Sequence, residues 1–201
     1  MRHVISIVLL ALVLASCANP INRRTYQNYM AAGDQAAMRG DLQLAKQNYS
    51  RALANVKLGH LGPEAEAMAL FRYARVSGNL CEHGEAEKAF IEANRLNEES
   101  KGVGSEATYA SVVEIGQLNY DIGHYEKAVP YFDKALAMAE KYGLSNKYPS
   151  SFADVYTDYA DALRKTGNTS KANEAQAKAA SLKAKIRKKE PEYTRYPKTC
   201  K

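Results

Sequence analysis

The sequence predicts an all-α protein in which one helical hairpin is repeated about four times. A glycine followed by small and aromatic residues at fixed offsets recurs along the chain, at Gly40, Gly84, Gly123 and Gly167. Upstream of each glycine, apolar or aromatic residues recur at positions i, i+3 and i+7, which is the spacing of one buried helix face. Because the pattern returns at intervals of 44, 39 and 44 residues, it indicates a solenoid whose units pack on their neighbours.

The first segment of the chain is predicted to be a signal peptide. Apart from Ser6, residues 4–15 are apolar and follow a basic start, but they are too few to span a bilayer as a helix, which takes about 20 residues. At their end, Leu14-Ala15-Ser16-Cys17 resembles the lipobox of bacterial lipoproteins. The resemblance implies cleavage after residue 16, acylation of Cys17 and a linker over residues 17–25. An uncleaved apolar anchor and an ordinary secretory signal are the alternatives.

The residue after Cys17 bears on the destination of such a lipoprotein. Ala18 stands there instead of aspartate, and by resemblance to enterobacterial lipoproteins this favours the outer membrane, with the body facing the periplasm. The inner membrane and the cell surface are the alternatives. Since no other apolar stretch of the sequence approaches membrane-spanning length, lipid on Cys17 is the expected membrane attachment.

Each predicted unit consists of a first helix, a glycine turn and a second helix. The first-helix core sets are Tyr29, Ala32, Gly33 and Ala36; Tyr73, Val76, Ser77 and Leu80; Val112, Ile115, Gly116 and Asn119; and Tyr156, Tyr159, Ala160 and Leu163. The second-helix sets are Ala45, Tyr49 and Ala52; Ala89, Ala93 and Leu96; Ala128, Phe132 and Ala135; and Ala172, Gln176 and Ala179. Small residues among them let the two helices of a unit approach closely.

Two helices per unit, a glycine turn and small residues at the helix crossing resemble the tetratricopeptide repeat. The resemblance implies a helical-hairpin solenoid over residues 26–186, with units near 26–59, 70–103, 109–142 and 153–186. The period is longer than the 34 residues of that repeat, as in units of the kinesin-light-chain type. A capping helix over residues 172–189 is expected to close the array, and the chain is expected to be loose from Pro191 onward. Residues 187–201 form a basic tail.

The charge of the chain is concentrated at one end. The formal net charge is +6, and the whole excess lies in residues 182–201, so a basic groove for nucleic acid on the folded body is excluded. The tail could contact anionic headgroups or glycan, or keep the chain end soluble. With Cys17 assigned to lipid, Cys81 and Cys200 lie in an oxidising compartment, where they either pair or remain free thiols.

The resemblance also implies where a ligand would bind, namely the concave groove lined by the first helix of each unit. An acidic row, Asp154, Asp158 and Asp161, is either a solvated face or a groove wall that meets a basic ligand. The candidate groove residues are Asp34, Arg75, Gln117, Tyr120, Asp158, Asp161 and Arg164, with Met30, Gly78, Val113 and Thr157 beside them.

The sequence lacks the patterns expected of an enzyme. His60, His83 and His124 are scattered over linker and turn positions, and neither a metal-ligand spacing nor a phosphate-binding loop is present. We therefore expect no catalysis, cofactor, metal or small-molecule substrate. The expected function is a lipid-anchored scaffold or adaptor that binds a protein partner in an envelope assembly or secretion machine. The alternative is a regulatory accessory subunit of a cell-wall or polysaccharide enzyme.

Overall fold

The computed structural model describes residues 2–144, 149–186 and 194–199, with side chains from residue 20 onward. These residues form eight α-helices and no strand. The helices are α1 (Arg2–Met38), α2 (Leu42–Gly59), α3 (Pro63–Asn79), α4 (His83–Lys101), α5 (Glu106–Asp121), α6 (Tyr125–Lys141), α7 (Pro149–Lys165) and α8 (Thr169–Lys183). Within this part of the chain, no helix combines the length and the apolar character needed to cross a membrane.

Successive helices pack on one another in chain order, so that the described chain forms four hairpins, α1–α2, α3–α4, α5–α6 and α7–α8. The helix α5 also contacts α7, which places the first helices of neighbouring units side by side. This arrangement confirms the predicted all-α solenoid of four units. The helix α8 buries only three alanines, Ala172, Ala175 and Ala179, and it closes the array as the second helix of the fourth unit.

The turn inside each hairpin contains one residue in the left-handed region. These residues are Gly40, Cys81, Gly123 and Gly167, with φ angles of +76°, +68°, +87° and +84°. The prediction placed the second turn at Gly84, which is wrong, because Gly84 lies in the first turn of α4. The observed turns are 41, 42 and 44 residues apart, which is a more regular period than the predicted one.

The register of the second unit is set by packing between an aromatic ring and a small residue. Nine residues after the turn stand Tyr49, Phe90 and Phe132, and seven residues before it stand Gly33, Ala74 and Gly116. A Cβ on Gly33 would lie 2.5 Å from the Tyr49 ring, and one on Gly116 would lie 2.9 Å from the Phe132 ring. Phe90 and Ala74 are both fully buried in one cluster. The ring of the second unit is therefore Phe90, and the predicted alignment through Ala89 and Ala93 is shifted by three residues.

The long period arises partly from long first helices. The helix α3 begins at Pro63, earlier than the predicted unit boundary near residue 70, and α7 begins at Pro149 rather than near residue 153. Proline is accepted in the first turn because its missing amide would have no partner in the helix there. Residues 17–25, predicted to be a linker, are part of α1.

Candidate functional site

The first helices α1, α3, α5 and α7 form one surface, which we call the first-helix surface. Polar side chains join each of these helices to the next one. The joining pairs are Arg72 with Asp34 (3.5 Å), Arg75 Nη1 with Glu114 Oε1 (2.7 Å), and the Tyr120 hydroxyl with Asp161 Oδ2 (3.0 Å). The surface therefore runs continuously across all four units.

Most of the predicted groove residues occupy equivalent positions on this surface. Six residues before the turn residue of each unit stand Asp34, Arg75, Gln117 and Asp161, and three residues before it, in units two to four, stand Gly78, Tyr120 and Arg164. Since helix residues three apart are neighbours, the two sets form adjacent rows. The hairpin geometry thus brings the predicted residues together on one side of the array.

The exposure of these residues differs from what the sequence predicts. Asp34, Arg75, Tyr120 and Asp161 are half-buried and Arg164 is exposed, but Gln117 and Asp158 are only 4% and 2% exposed. Treating all of them as open groove positions was wrong. The helix α5 packs against α4, α6 and α7, so a position that faces away from its own hairpin still faces other helices. Asp158 is covered by the C-terminal segment.

Residues 194–199, which we call the C-terminal segment, lie on the first-helix surface. Tyr196 is 2% exposed, and its hydroxyl donates to Glu114 Oε2 at 2.5 Å. The Tyr196 backbone N–H donates to Asp121 Oδ2 at 2.8 Å, and its ring meets Phe90 edge to face with centroids 6.5 Å apart. The prediction of a loose tail is therefore wrong for this segment, while residues 187–193 lie outside the described part of the chain.

Arg195 makes the charged half of the same contact. Its Nη1 and Nη2 donate to the two carboxylate oxygens of Asp158, both at 2.8 Å, and Nη1 also donates to Asp121 Oδ1 at 3.0 Å. The guanidinium lies 5.6 Å from the centroid of the Tyr120 ring. A forked, charge-assisted pair of this kind is among the stronger hydrogen-bonded contacts in proteins. The basic group that meets the predicted acidic row is thus the chain's own Arg195.

The two carboxylates are held in an environment that opposes their charge. Burial raises the pKa of Asp158 above its usual value, while Arg195 acts in the opposite direction. Burial likewise raises the pKa of Asp121, against the lowering influence of the Tyr196 backbone N–H and of Arg195. Since removing a carboxylate from water disfavours its ionised form, the site favours an occupant that brings a cation.

Space for the Tyr196 ring is provided by a glycine. A Cβ on Gly78 would lie 2.6 Å from Cε1 of Tyr196, which no packed structure accommodates without movement. The equivalent positions in the third and fourth units carry the large side chains of Tyr120 and Arg164. The second unit therefore differs from the third and fourth units at a position where the C-terminal segment requires room.

The sequence singled out Cys81 and Cys200 as a possible disulfide pair. Cys81 is disulfide-bonded, three residues after Gly78, and Cys200 lies outside the described residues. Their pairing therefore stays a prediction. Cys17 falls within α1, but its side chain is not described, and its acylation also stays a prediction.

Comparison with known proteins agrees with this geometry. The tetratricopeptide repeat family matches residues 109–142, and no curated protein matches the sequence. The crystal structure of BtubC (BKLC) from P. vanneervenii is similar over 85% of this chain and 67% of its own, with a TM-score of 0.76 and 18% identity. The fold is that of a tetratricopeptide-repeat (TPR) protein.

A second TPR-like structure is similar over a smaller share of its own chain. It is a Rap protein complexed with Competence and Sporulation Factor, which matches over 79% of this chain with a TM-score of 0.61 and 18% identity. The present chain spans 43% of that protein. At such identities the likeness concerns the TPR fold alone.

The N-terminal part of the TPR first-helix surface is not covered by residues 194–199. A pocket of about 480 Å³ lies between α1 and α3, lined by Arg23, Met30, Asp34, Met68 and Arg72 among others. Met68 is 49% exposed, and it also lines a second pocket of about 250 Å³ further along α3. An exposed methionine between opposite charges is typical of a surface that receives a protein segment.

Sequence reasoning missed four residues of the TPR site, namely Glu114, Asp121, Arg195 and Tyr196. Glu114 and Asp121 are carboxylates on a helix with mostly apolar neighbours, and 5% and 3% of their surfaces remain exposed. The two carboxylates form a binding site only together with Arg195 and Tyr196, which lie more than 70 residues further along the sequence. The local sequence around the carboxylates therefore did not indicate a site. The glycine at position 78, where the next two units have large side chains, was the one local sign that something else fills this space.

Proposed function

We propose that this chain is a membrane-anchored TPR scaffold of the cell envelope that holds a protein partner on its first-helix surface. The TPR fold is that of a protein–protein interaction scaffold. A TPR-like relative, the Rap protein, is complexed with Competence and Sporulation Factor. In this chain, the observation that supports partner binding best is the open pocket between α1 and α3, whose lining includes the exposed Met68.

The pocket offers both parts of a protein-binding contact. Met30 and Met68 supply apolar surface, while Arg23, Asp34, Glu64 and Arg72 supply charges of both signs around it. An apolar centre with a polar rim is the usual anatomy of a protein interface. The mixed charges favour an occupant that itself carries both signs, and they disfavour nucleic acid, which would be repelled by the carboxylates.

The predicted lipid anchor supports the envelope part of the proposal. The lipobox-like sequence that ends at Cys17 predicts acylation, and Cys81 is disulfide-bonded, as is common in proteins exposed to an oxidising compartment. A scaffold held by lipid would concentrate its partner at the membrane. Binding of the partner and membrane attachment are separate properties, and each can be measured alone.

Site-specific photo-crosslinking in living cells tests the partner-binding part. A photoreactive amino acid at Met68, on the first-helix surface, should link the full chain to one defined protein. The matched control is Ile91 on α4, whose exposure of 46% is close to the 49% of Met68, and this position should give no such product. Equal products at both positions, or none at Met68, would contradict the proposal. The identity of the linked protein separates an assembly partner from a cell-wall or polysaccharide enzyme.

A further inference from the structure

The C-terminal segment contacts the TPR surface in the way that a bound peptide does. Residues 194–197 have no regular secondary structure. Arg195 and Tyr196 donate hydrogen bonds to residues 37 to 82 positions away in the sequence. Among the described contacts, one backbone N–H and two side chains donate to carboxylates on α5 and α7. Alternate anchoring of main chain and side chains is typical of extended-peptide recognition.

From these contacts we infer that the surface formed by Gly78, Glu114, Asp121 and Asp158 is a recognition site for an extended protein segment in which arginine is followed by tyrosine. The chain's own C-terminal segment occupies this site in cis. The inference rests on the proposed function, since it assigns the ligand chemistry of another part of the same surface. A partner that presents an Arg-Tyr segment would bind in competition with residues 194–199.

The arginine pocket selects guanidinium over ammonium. Asp158 accepts from two different nitrogens of Arg195, and Asp121 accepts a third hydrogen bond from the same group. A planar fork satisfies this pattern, whereas a lysine ammonium is a compact point charge that cannot make the paired contact. The face of Tyr120 lies beside the guanidinium, which adds a cation–π contribution that favours arginine.

The tyrosine pocket selects both the ring and its hydroxyl. The ring fills the space above Gly78 and Leu118, and the hydroxyl donates to Glu114, whose other carboxylate oxygen accepts from Arg75. A phenylalanine would fill the space but leave a buried carboxylate oxygen without this donor, which is unfavourable. The pocket therefore discriminates against an apolar ring of the same size.

The direction of the bound segment is also fixed. Asp121 accepts the Tyr196 backbone N–H through one oxygen and the Arg195 side chain through the other, so it reads two consecutive residues. Pro197 follows Tyr196, and a residue that precedes proline is restricted to extended conformations. The sequence Arg-Tyr-Pro is thus preorganised for the site, which lowers the entropy lost on binding.

Covalent linkage gives the cis segment an advantage over any partner in trans. A tethered segment competes within its own molecule and therefore acts at a high effective concentration. A partner that makes the same contacts must be present above that effective concentration, or it must bind a second part of the surface at the same time. The open pocket between α1 and α3 lies on the same surface and provides such a second contact.

Peptide binding to full-length chains tests the inference. The probe is a fluorescein-labelled peptide with the sequence of residues 194–199, Thr-Arg-Tyr-Pro-Lys-Thr. The variant Arg195→Ala/Tyr196→Ala should bind it at least tenfold more tightly than the wild type, because its own segment no longer competes. The matched control, Thr194→Ala/Thr199→Ala, changes two exposed residues of the same segment and should behave like the wild type.

Specificity is measured by binding altered peptides to the Arg195→Ala/Tyr196→Ala variant, which we call the emptied chain. Replacing the arginine of the peptide by lysine, or its tyrosine by phenylalanine, should weaken binding about tenfold, and adding Asp158→Asn to the chain should weaken it by a similar factor. If the double alanine variant does not fold, Arg195→Lys/Tyr196→Phe keeps volume and charge, and it should still bind the peptide more tightly than the wild type.

The inference would be overturned if the emptied chain folds but does not bind the peptide. It would also be overturned if the emptied chain binds the lysine and phenylalanine peptides as tightly as the unaltered peptide. In that event the C-terminal segment would be a structural element of the fold. The crosslink at Met68 reports on the proposed function separately, so it would stand or fall independently of this result.

Discussion

The ring of Tyr196 occupies the position that a side chain at Gly78 would need, with only 2.6 Å between a Cβ at Gly78 and the ring carbon Cε1. Gly78 lies inside α3, where alanine would ordinarily be more favourable than glycine by about 1 kcal/mol. The glycine therefore serves the contact between α3 and the C-terminal segment rather than the helix itself. A larger residue at position 78 should therefore favour the helix α3 itself and oppose its contact with the C-terminal segment.

The substitution Gly78→Ala should displace the C-terminal segment. We expect a loss of about 1–3 kcal/mol in the free energy of unfolding, as for other insertions into packed sites, despite the better helix propensity of alanine. Displacement should also free Arg195 from Asp158, so trypsin should cleave after Arg195 faster than in the wild type. Gly84→Ala is the control, since a Cβ there meets nothing within 4 Å. Slow cleavage in Gly78→Ala would show that the segment is not held by this contact.

The second unit shows how far the sequence could predict the fold. Helix number, hairpin order and the first-helix surface followed from periodicity, because a repeated apolar pattern is a property of each local segment. The register of unit two did not follow, because the repeat pattern predicts a glycine at the turn while the structure places Cys81 there. What fixes the register is the packing of Phe90 in the cluster that contains Ala74, a contact between two helices rather than a local preference.

The corrected register makes a direct prediction about neighbouring residues on α4. Phe90→Ala should destabilise the protein by about 3–5 kcal/mol, the usual cost of removing a buried phenylalanine ring. Ile91→Ala, one position along, should change stability by about 0.5 kcal/mol or less, because Ile91 is exposed. Urea unfolding of both variants checks this difference. Comparable losses at the two positions would contradict the register that places Phe90 in the core and Ile91 at the surface.

The buried carboxylates predict a particular pH dependence. Burial raises the pKa of Asp121 and Asp158 in the folded protein. At pH values between the ordinary pKa of each carboxyl group in the unfolded chain and its raised pKa in the folded protein, the folded state therefore binds more protons than the unfolded chain. Stability from these groups is therefore highest in acid and falls as the pH rises through the raised values. Arg195 opposes the shift at both carboxylates, as Lys198 does at Asp121, whereas Asp154 adds to it at Asp158.

Removing Arg195 should enlarge this effect. In Arg195→Met the pKa of Asp158 should rise further. As the pH rises above the ordinary aspartate pKa of 3.8, the unfolding free energy should therefore decline more steeply in this variant than in Arg195→Met/Asp158→Asn. Glu85, Glu92 and Glu98 have lowered pKa values and act in the opposite direction, but both chains contain them, so their contribution cancels in the difference. Parallel pH profiles for the two variants would contradict a raised pKa at Asp158.

The disulfide of Cys81 is predicted to join Cys200. Tyr196 packs against Gly78, three residues before Cys81, and Cys200 follows Tyr196 by four residues, a reach of about 13 Å for an extended chain. Mass spectrometry of a non-reduced digest should find the two cysteine-containing peptides linked. A link to Cys17 or to a second chain would contradict the pairing. Closing so large a loop would stabilise the fold by roughly 4–5 kcal/mol, so Cys200→Ser should lower the melting temperature and speed trypsin cleavage after Arg195.

Membrane attachment is predicted to depend on Cys17. A Cys17→Ala variant should no longer partition into the detergent phase, because alanine cannot be acylated. One acyl chain binds a bilayer only marginally, whereas the three chains of lipoproteins bind firmly. Cys200→Ser is the matched control and should partition like the wild type. The structure adds a distance to this prediction, since Cys17 and Gln27 lie on the continuous helix α1, where ten residues rise about 15 Å. Gln27 is exposed and lines the pocket between α1 and α3. A photo-crosslinker at Gln27 should therefore react with a membrane-proximal partner in the wild type and lose that product in Cys17→Ala, when equal amounts of the two proteins are compared. Unchanged partitioning of Cys17→Ala would show that the chain is held at the membrane, if at all, by something other than this lipid.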